Sequence, residues 1–339
     1  MRKGKMLAPQ LLAAWALVVI LGQAGPAAAE PVKIRIAWVN AYSTLVPLLL
    51  QKTDLFQHAG KSYVAEAIHF NGSSPQITGL AAGEIDIAAL AFSSFGVAIE
   101  NAKMDDLRVI ADGFQDGAEG YFSNAYMVRK DGGIKTVDDL KGKVVASNGV
   151  GGALDMAIRA MLRKHHLEDK ADYTLIEAQF QNMPAMLNDK KVDLVTAVPP
   201  YVYDPALQNA ETLFTMKDAL GPTQMLFFTA RRGFIDKNHA ALTDFFEDMM
   251  RSLRWFHDPA NRADMLKLVA AFTKQPEERF AGWFLTKRDS YHDPDMRPDL
   301  MALQHNLQTQ RDLGFLKTDI AVTDFADLSL VDEAAKRLK

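Results

Sequence analysis

From residue 32 the chain alternates between apolar and charged positions. Val32, Ile34, Ile36 and Trp38 are separated by Lys33 and Arg35, a two-residue period that predicts a half-buried strand. The run Asn40-Ala41-Tyr42-Ser43-Thr44 breaks it, and Leu45, Leu48 and Leu49 follow at helical spacing. Residues 64–70 read as a second strand, Gly72-Ser73-Ser74-Pro75 as a turn, 76–82 as a short helix and 85–91 as a third strand. The same order returns further on, with a strand over 143–147 and a helix whose Leu154, Ala157, Ile158, Met161 and Leu162 share one face. Another strand over 173–178, a helix start at 184–187 and a strand over 192–198 complete it. Strand and helix in alternation favour mostly parallel sheets with helices on both faces, and two such sets far apart suggest two lobes.

The last third is helical by pattern. Leu242, Phe245, Phe246, Met249, Met250, Leu253 and Phe256 sustain one stripe, Leu266, Val269 and Ala270 begin another, and residues 328–338 predict a closing helix. The Met and Phe stripe reads as a core face rather than a cofactor or lipid groove, because three- and four-residue spacing is what any packed helix shows. No repeat of solenoid period is present.

Before residue 30 the pattern is different. Arg2, Lys3 and Lys5 precede an apolar run over 11–21, and Ala27-Ala28-Ala29 closes the segment, the order of a secretory signal peptide cut after Ala29. The run is too short for a membrane span, which needs about 20 residues. Without that segment the chain carries 35 basic against 42 acidic side chains, a net charge of −7 over 310 residues. A net acidic chain with no basic run argues against a nucleic-acid partner, whose affinity rests on Lys and Arg at phosphates. The full 339 residues hold no cysteine, which excludes disulfides, zinc-thiolate sites, iron-sulfur clusters, a thiol nucleophile and a lipid-modified N-terminus.

One local feature invites a ligand. In Val144-Val145-Ala146-Ser147-Asn148-Gly149-Val150-Gly151-Gly152 a strand runs through a glycine-rich turn into a helix. Amide hydrogens at a helix start, with the positive end of its dipole, can hold an anion. A tight strand-to-helix turn without a ligand is the alternative. A dinucleotide fingerprint fails because Leu154 stands where a small residue is needed, and Gly142-Lys143-Val144 lacks the Ser or Thr of a phosphate loop. No histidine pair has zinc-site spacing; His165-His166 point to different sides of a helix. The run Asp289-Ser290-Tyr291-His292-Asp293-Pro294-Asp295 lacks the calcium loop's glycine and glutamate and reads as an exposed turn. No Gly-x-Ser-x-Gly elbow occurs, and Asp138-Asp139 is explained by capping.

Several segments taken in order carry a resemblance. Phe70-Asn71-Gly72-Ser73-Ser74-Pro75-Gln76-Ile77 with Gly79-Leu80-Ala81-Ala82-Gly83-Glu84-Ile85-Asp86-Ile87, then Ile134-Lys135-Thr136-Val137-Asp138-Asp139-Leu140-Lys141-Gly142-Lys143, then Met183-Pro184-Ala185-Met186-Leu187-Asn188-Asp189, resemble the signatures of one family. Leu313-Gly314-Phe315-Leu316 and Asp324-Phe325-Ala326-Asp327-Leu328-Ser329 fit as well. The family is the nitrate, sulfonate, taurine and thiamine-precursor substrate-binding proteins of ABC importers.

The resemblance implies an α/β, two-lobed periplasmic-binding-protein fold of type II, with two mixed sheets flanked by helices and a two-strand hinge. Residues 30–124 with 227–339 would form one lobe and 125–226 the other, after a signal peptide over 1–29. The ligand would lie in the cleft, at the carboxyl ends of the strands. The candidates there are Asn40, Tyr42, Ser43, Phe92, Ser93, Asn148, Gly149, Gly151, Phe180, Gln181, Asn182 and Tyr201. The aromatics offer flat apolar faces and the others uncharged hydrogen-bonding groups, a mixture that suits an organic anion with a planar or apolar body and its acid group on the glycine turn. The expected role is a periplasmic, monomeric carrier that delivers a small molecule to a membrane permease, without cofactor, metal or catalytic residue. A ligand-sensing module for a receptor, or an enzyme on the same fold, is the alternative.

Overall fold

The computed structural model describes Met1 and residues 30–339, so the expected signal peptide lies outside the described residues. Ten strands follow in order: β1 (Val32–Trp38), β2 (Tyr63–His69), β3 (Ile87–Ala91), β4 (Leu107–Asp116), β5 (Ala125–Arg129), β6 (Val144–Ser147), β7 (Thr174–Glu177), β8 (Leu194–Ala197), β9 (Ala210–Thr215) and β10 (Thr223–Arg231). They make two five-stranded sheets, ordered β2-β1-β3-β10-β4 and β7-β6-β8-β5-β9. Within each, the first three strands run parallel, the fourth runs antiparallel to both its neighbours, and the fifth runs with the first three. Each sheet is mixed yet mostly of one direction, in agreement with the periodicity and with the fold that the resemblance implies. The antiparallel strands, β5 and β10, each follow a chain crossing, 117–124 and 216–222.

Helices α1 (Ala41–Thr44), α2 (Val46–Leu49), α3 (Ser73–Ala82) and α4 (Phe92–Glu100) connect the first sheet. Helices α5 (Ala153–Lys164), α6 (Met183–Asn188) and α7 (Met216–Leu220) serve the second. Helices α8 (Arg232–His257), α9 (Arg262–Thr273), α10 (Glu278–Ala281), α11 (Leu300–Asp312) and α12 (Ser329–Arg337) form the last third. Among the described residues no helix is long and apolar enough to cross a membrane.

Strand alternation distributes the core. In the first sheet Ile34, Ile36, Ile87, Ala89, Ile110 and Phe228 face α8, whose Phe245, Phe246, Met249, Met250 and Phe256 are buried against them. The Met and Phe stripe is thus core. The opposite face, with Ala88, Leu90, Val109 and Phe227, joins Tyr126, Val128, Val145 and Leu194 of the second sheet in one continuous cluster. Burying a Phe or Leu fully contributes about 1.5–3 kcal/mol, so this shared cluster couples the two sheets while Ala125, Met127, Ala146 and Val195 form the second sheet's other face. Residues Pro31–Lys339 form one compact unit.

The run 289–295 departs from its expected exposure. Asp289, Ser290 and His292 are buried. Leu285 and Ser290 amides donate to the Asp289 carboxylate at 2.9 and 2.8 Å, and His292 Nδ1 lies 2.8 Å from the Gly113 carbonyl oxygen. These partners inside the protein are what permit burial, while His292 Nε2 is left without one among the described residues.

Candidate functional site

The carboxyl end of β1 turns into α1 through Asn40. Its Oδ1 accepts from the Tyr42 amide at 2.9 Å, a helix cap, while its carbonyl accepts from the Ser43 and Thr44 hydroxyls at 3.2 and 3.1 Å. The cap turns Tyr42 onto an aromatic wall, with ring centroids 5.5 Å from Phe280, 6.0 Å from Trp283 and 6.2 Å from Phe284. Burial raises the Tyr42 phenol pKa, a shift that Thr273 opposes and the neighbouring Tyr201 phenol reinforces. Tyr42 and Tyr201 follow strands of different sheets, β1 and β8.

The second sheet brings more rings to the same place. Phe180, in the turn Phe180–Asn182 after β7, stacks on Tyr201 with centroids 5.9 Å apart and planes at 19°. Tyr203, in the turn Tyr201–Tyr203 after β8, stacks on Trp283 at 5.8 Å and 27°. Offset aromatic pairs at such separations add about 0.5–1.5 kcal/mol beyond area burial. Gln181, Asn182 and Asn148 are exposed, and their side-chain amides have no partner among the described residues. Phe92 and Ser93 are placed otherwise: Phe92 is 1% exposed within the shared core, and Ser93 is buried with its carbonyl accepting from Gln310 Nε2 at 2.9 Å.

At the glycine turn the chain supplies its own anions. The Val150 amide donates to Glu177 Oε1 at 2.7 Å and the Gly151 amide to Asp155 Oδ2 at 2.7 Å, while the Gly152 amide bonds the Gly149 carbonyl at 3.2 Å. Gly151 has φ +74°, the left-handed region that favours glycine, and a Cβ there would stand 3.6 Å from the Phe315 ring. Asp155 is buried and also accepts from Arg159 Nε at 2.8 Å; burial nevertheless pushes its carboxyl above the usual range. The amides at 150–152, expected to receive an acid group, are engaged within the chain, and two carboxylates stand beside them.

Sequence reasoning missed Trp283, Phe280, Tyr203 and Arg288. The aromatic density of 280–284, three rings in five residues, was the available signal. One histidine cluster is a metal candidate by proximity, with ligand atoms of His58, Asp244 and Glu247 within 4.8 Å of one another. Arg337 Nη1 lies 2.7 Å from Asp244 and 3.4 Å from Glu247, and Arg251 also pairs with Glu247. These guanidinium groups already balance the carboxylates, and the cluster is an ion-pair network.

A family model described as the NMT1-like family matches residues 27–270, well over half of the chain. The chain belongs to the NMT1-like family. Solved structures share the fold of this NMT1-like protein. The periplasmic aliphatic sulphonate binding protein SsuA from Escherichia coli is 18% identical with a TM-score of 0.68, over 87% of this chain and 92% of that one. The periplasmic nitrate-binding protein NrtA from Synechocystis is 15% identical with a TM-score of 0.68, over 91% and 90%. The desulfurization enzyme DSZB is 13% identical with a TM-score of 0.64, over 91% and 100%. At these identities the likeness establishes the fold, on which both binding proteins and an enzyme are built.

Proposed function

We propose that this NMT1-like chain is the solute-binding component of an ABC importer, exported by residues 1–29 and free in the periplasm. It acts as a monomer. It captures a small organic anion, of sulfonate or carboxylate type, between a lobe of 30–124 with 227–339 and a lobe of 125–226, and presents the closed form to a membrane permease. The observation that carries this reading is the stacking of Tyr203, which follows a strand of the second sheet, on Trp283 of the first sheet's aromatic wall, which also holds Tyr42. Rings half-buried on both sides, beside the unpartnered amides of Asn148, Gln181 and Asn182, suit a solute with an apolar body and a polar end. The acid group would bond those amides or displace the exposed Glu177 from Val150. Asn40, Ser43, Gly149 and Gly151 complete the proposed lining, and Phe92 and Ser93 support it from the core. Closure follows from differential affinity for the closed form. The chain has no cysteine, so turnover by a thiol nucleophile is excluded.

A thermal-shift panel of sulfonates, nitrate, aromatic carboxylates and pyrimidines tests the reading. A bound solute at a hundred times its Kd adds about 2.7 kcal/mol of stability. The expected result is a raised melting temperature with one anion class, a smaller radius of gyration by small-angle scattering at saturation, and recovery of the solute unchanged. Saturation without compaction would sink the two-lobe mechanism, and conversion of the solute would make the protein an enzyme.

A further inference from the structure

Tyr203 is placed by the second sheet and held by the first. It follows β8, yet its ring stacks on Trp283, its hydroxyl donates to the Arg288 carbonyl, and the Arg288 guanidinium lies 4.5 Å from its ring centroid. Trp283 belongs to the core of the first sheet with Phe280 and Phe284. Ring and hydroxyl are both met by residues 283–288, a segment from the far side of the proposed cleft.

That segment is itself braced. The Asp289 carboxylate takes the Leu285 and Ser290 amides, and the Asp289 carbonyl accepts from the Phe122 amide at 3.1 Å. Phe122 lies in the first chain crossing, between β4 and β5, and its ring is 6.2 Å from that of Tyr203. Tyr203 therefore docks on a strut fixed to both the first sheet and the crossing. Tyr201 sits in the same single turn, with Phe180 stacked on it. Holding Tyr203 fixes where Tyr201 stands relative to the first sheet's aromatic wall.

We infer that Tyr203 is a positioning residue for solute capture, a ligand-independent clasp that docks the turn after β8 onto residues 283–288 and so fixes Tyr201, in the same turn, relative to the first sheet. This rests on the two-sided site proposed above. A cation over an aromatic ring and an offset ring stack each add to the docking of Tyr203. The clasp acts before any solute arrives, and it sets how much of the solute-free protein is already closed.

The test needs no solute, so its outcome is separate from that of the binding panel. The chain lacks cysteine, which permits one spin label on each side through Ala185→Cys in α6 and Glu278→Cys in α10, both exposed positions. The double-labelled parent is expected to give one narrow distance distribution. Tyr203→Ala should lengthen and broaden it, and Tyr203→Phe, which keeps the ring, should restore most of the parent distribution. Arg288→Ala, at an exposed residue that cannot unfold the core, should shift it in the same direction as Tyr203→Ala and by less. Melting temperatures of the variants identify any that fail to fold, in which case the arginine variant decides. A parent-like distribution in the folded Tyr203→Ala and Arg288→Ala proteins, or an already broad distribution in the parent, overturns the inference.

Discussion

The two sheets have the same strand order and the same directions, but their edges and turns are finished differently. In the first, the last strand β4 is covered: the Asp112 amide donates to the Met296 carbonyl at 2.7 Å, and Gln115 and Tyr291 exchange backbone bonds at 2.8 and 3.1 Å. In the second, the equivalent strand β9 keeps an alternating, partly exposed pattern. The turns after β1 and β6 are also equivalents. Asn40 closes the first with its own side chain, whereas Glu177 and Asp155 close the second with charges. One topology thus supplies an aromatic wall on one side and a self-neutralised helix start on the other. Turn chemistry, rather than sheet order, decides where a solute can be received.

The largest test of that difference is at Asp155. Asp155→Ala removes the acceptor for the Gly151 amide and leaves the largely buried Arg159 with Asp169, at 3.0 Å, as its remaining ion pair. Breaking a buried pair from one side costs about 3 kcal/mol or more. Denaturant unfolding should show a loss of about 3 kcal/mol, whereas Glu177→Ala, at an exposed side chain, should cost less than about 1 kcal/mol. Equal losses at the two positions would remove the distinction between a buried structural cap and a displaceable surface one.

The covered edge of the first sheet predicts a pH effect. Burial pushes the Asp112 carboxyl up to about 8, against a hydrogen bond from Gln224, and the Asp289 carboxyl up to about 7. Each favours folding while protonated. Their contribution is whole below the unfolded value of 3.8 and is lost as pH rises to the folded value. The buried His292, held down to about 3, works in the opposite sense below its ordinary 6.5, so the clean window lies above that. Between pH 6.5 and 8 the unfolding free energy should fall by about 2 kcal/mol, at about 1.36 kcal/mol per unit for each group still losing its proton. Asp112→Asn should flatten most of that slope; an unchanged slope would mean the covered edge is wetter than its packing indicates.

The elements with one buried face were legible. Residues 32–38 alternate and are β1, and the 154–162 stripe lies in α5, because an amphipathic element leaves its period in the sequence. Strands β4 and β10 were not read. Nearly all their residues are buried, so no alternation marks them and their pairing depends on partners far along the chain. Tyr42, Phe180 and Tyr201 do follow strand ends and carry ring contacts there, which the strand pattern made legible. The capture of the turn's amides was hidden for Glu177, which is 27 residues from Val150. For Asp155, four residues after Gly151, the spacing was visible and its meaning was not. The buried run 289–295 carries the composition of a surface turn; only its long-range bonds to Gly113 and Gln115 reveal otherwise.

The effect expected at Asn40 is smaller than that at Asp155, and it measures the first turn against the second. Asn40→Ala removes the Oδ1 that accepts from the Tyr42 amide but leaves the carbonyl that accepts from Ser43 and Thr44. Loss of such a cap costs about 1 kcal/mol. The Tyr42 ring remains anchored by Phe280, Trp283 and Phe284, so the wall should persist while the helix start loosens. Asn40→Asp, which keeps an acceptor at the same place, should recover most of the loss. Chemical denaturation of the three proteins without solute reads this directly. If Asn40→Ala costs as much as Asp155→Ala, the side-chain cap after β1 is as structural as the charged one after β6. The first turn would then have to be rigid as well, and the freedom to receive a solute would pass to the loops after β7 and β8.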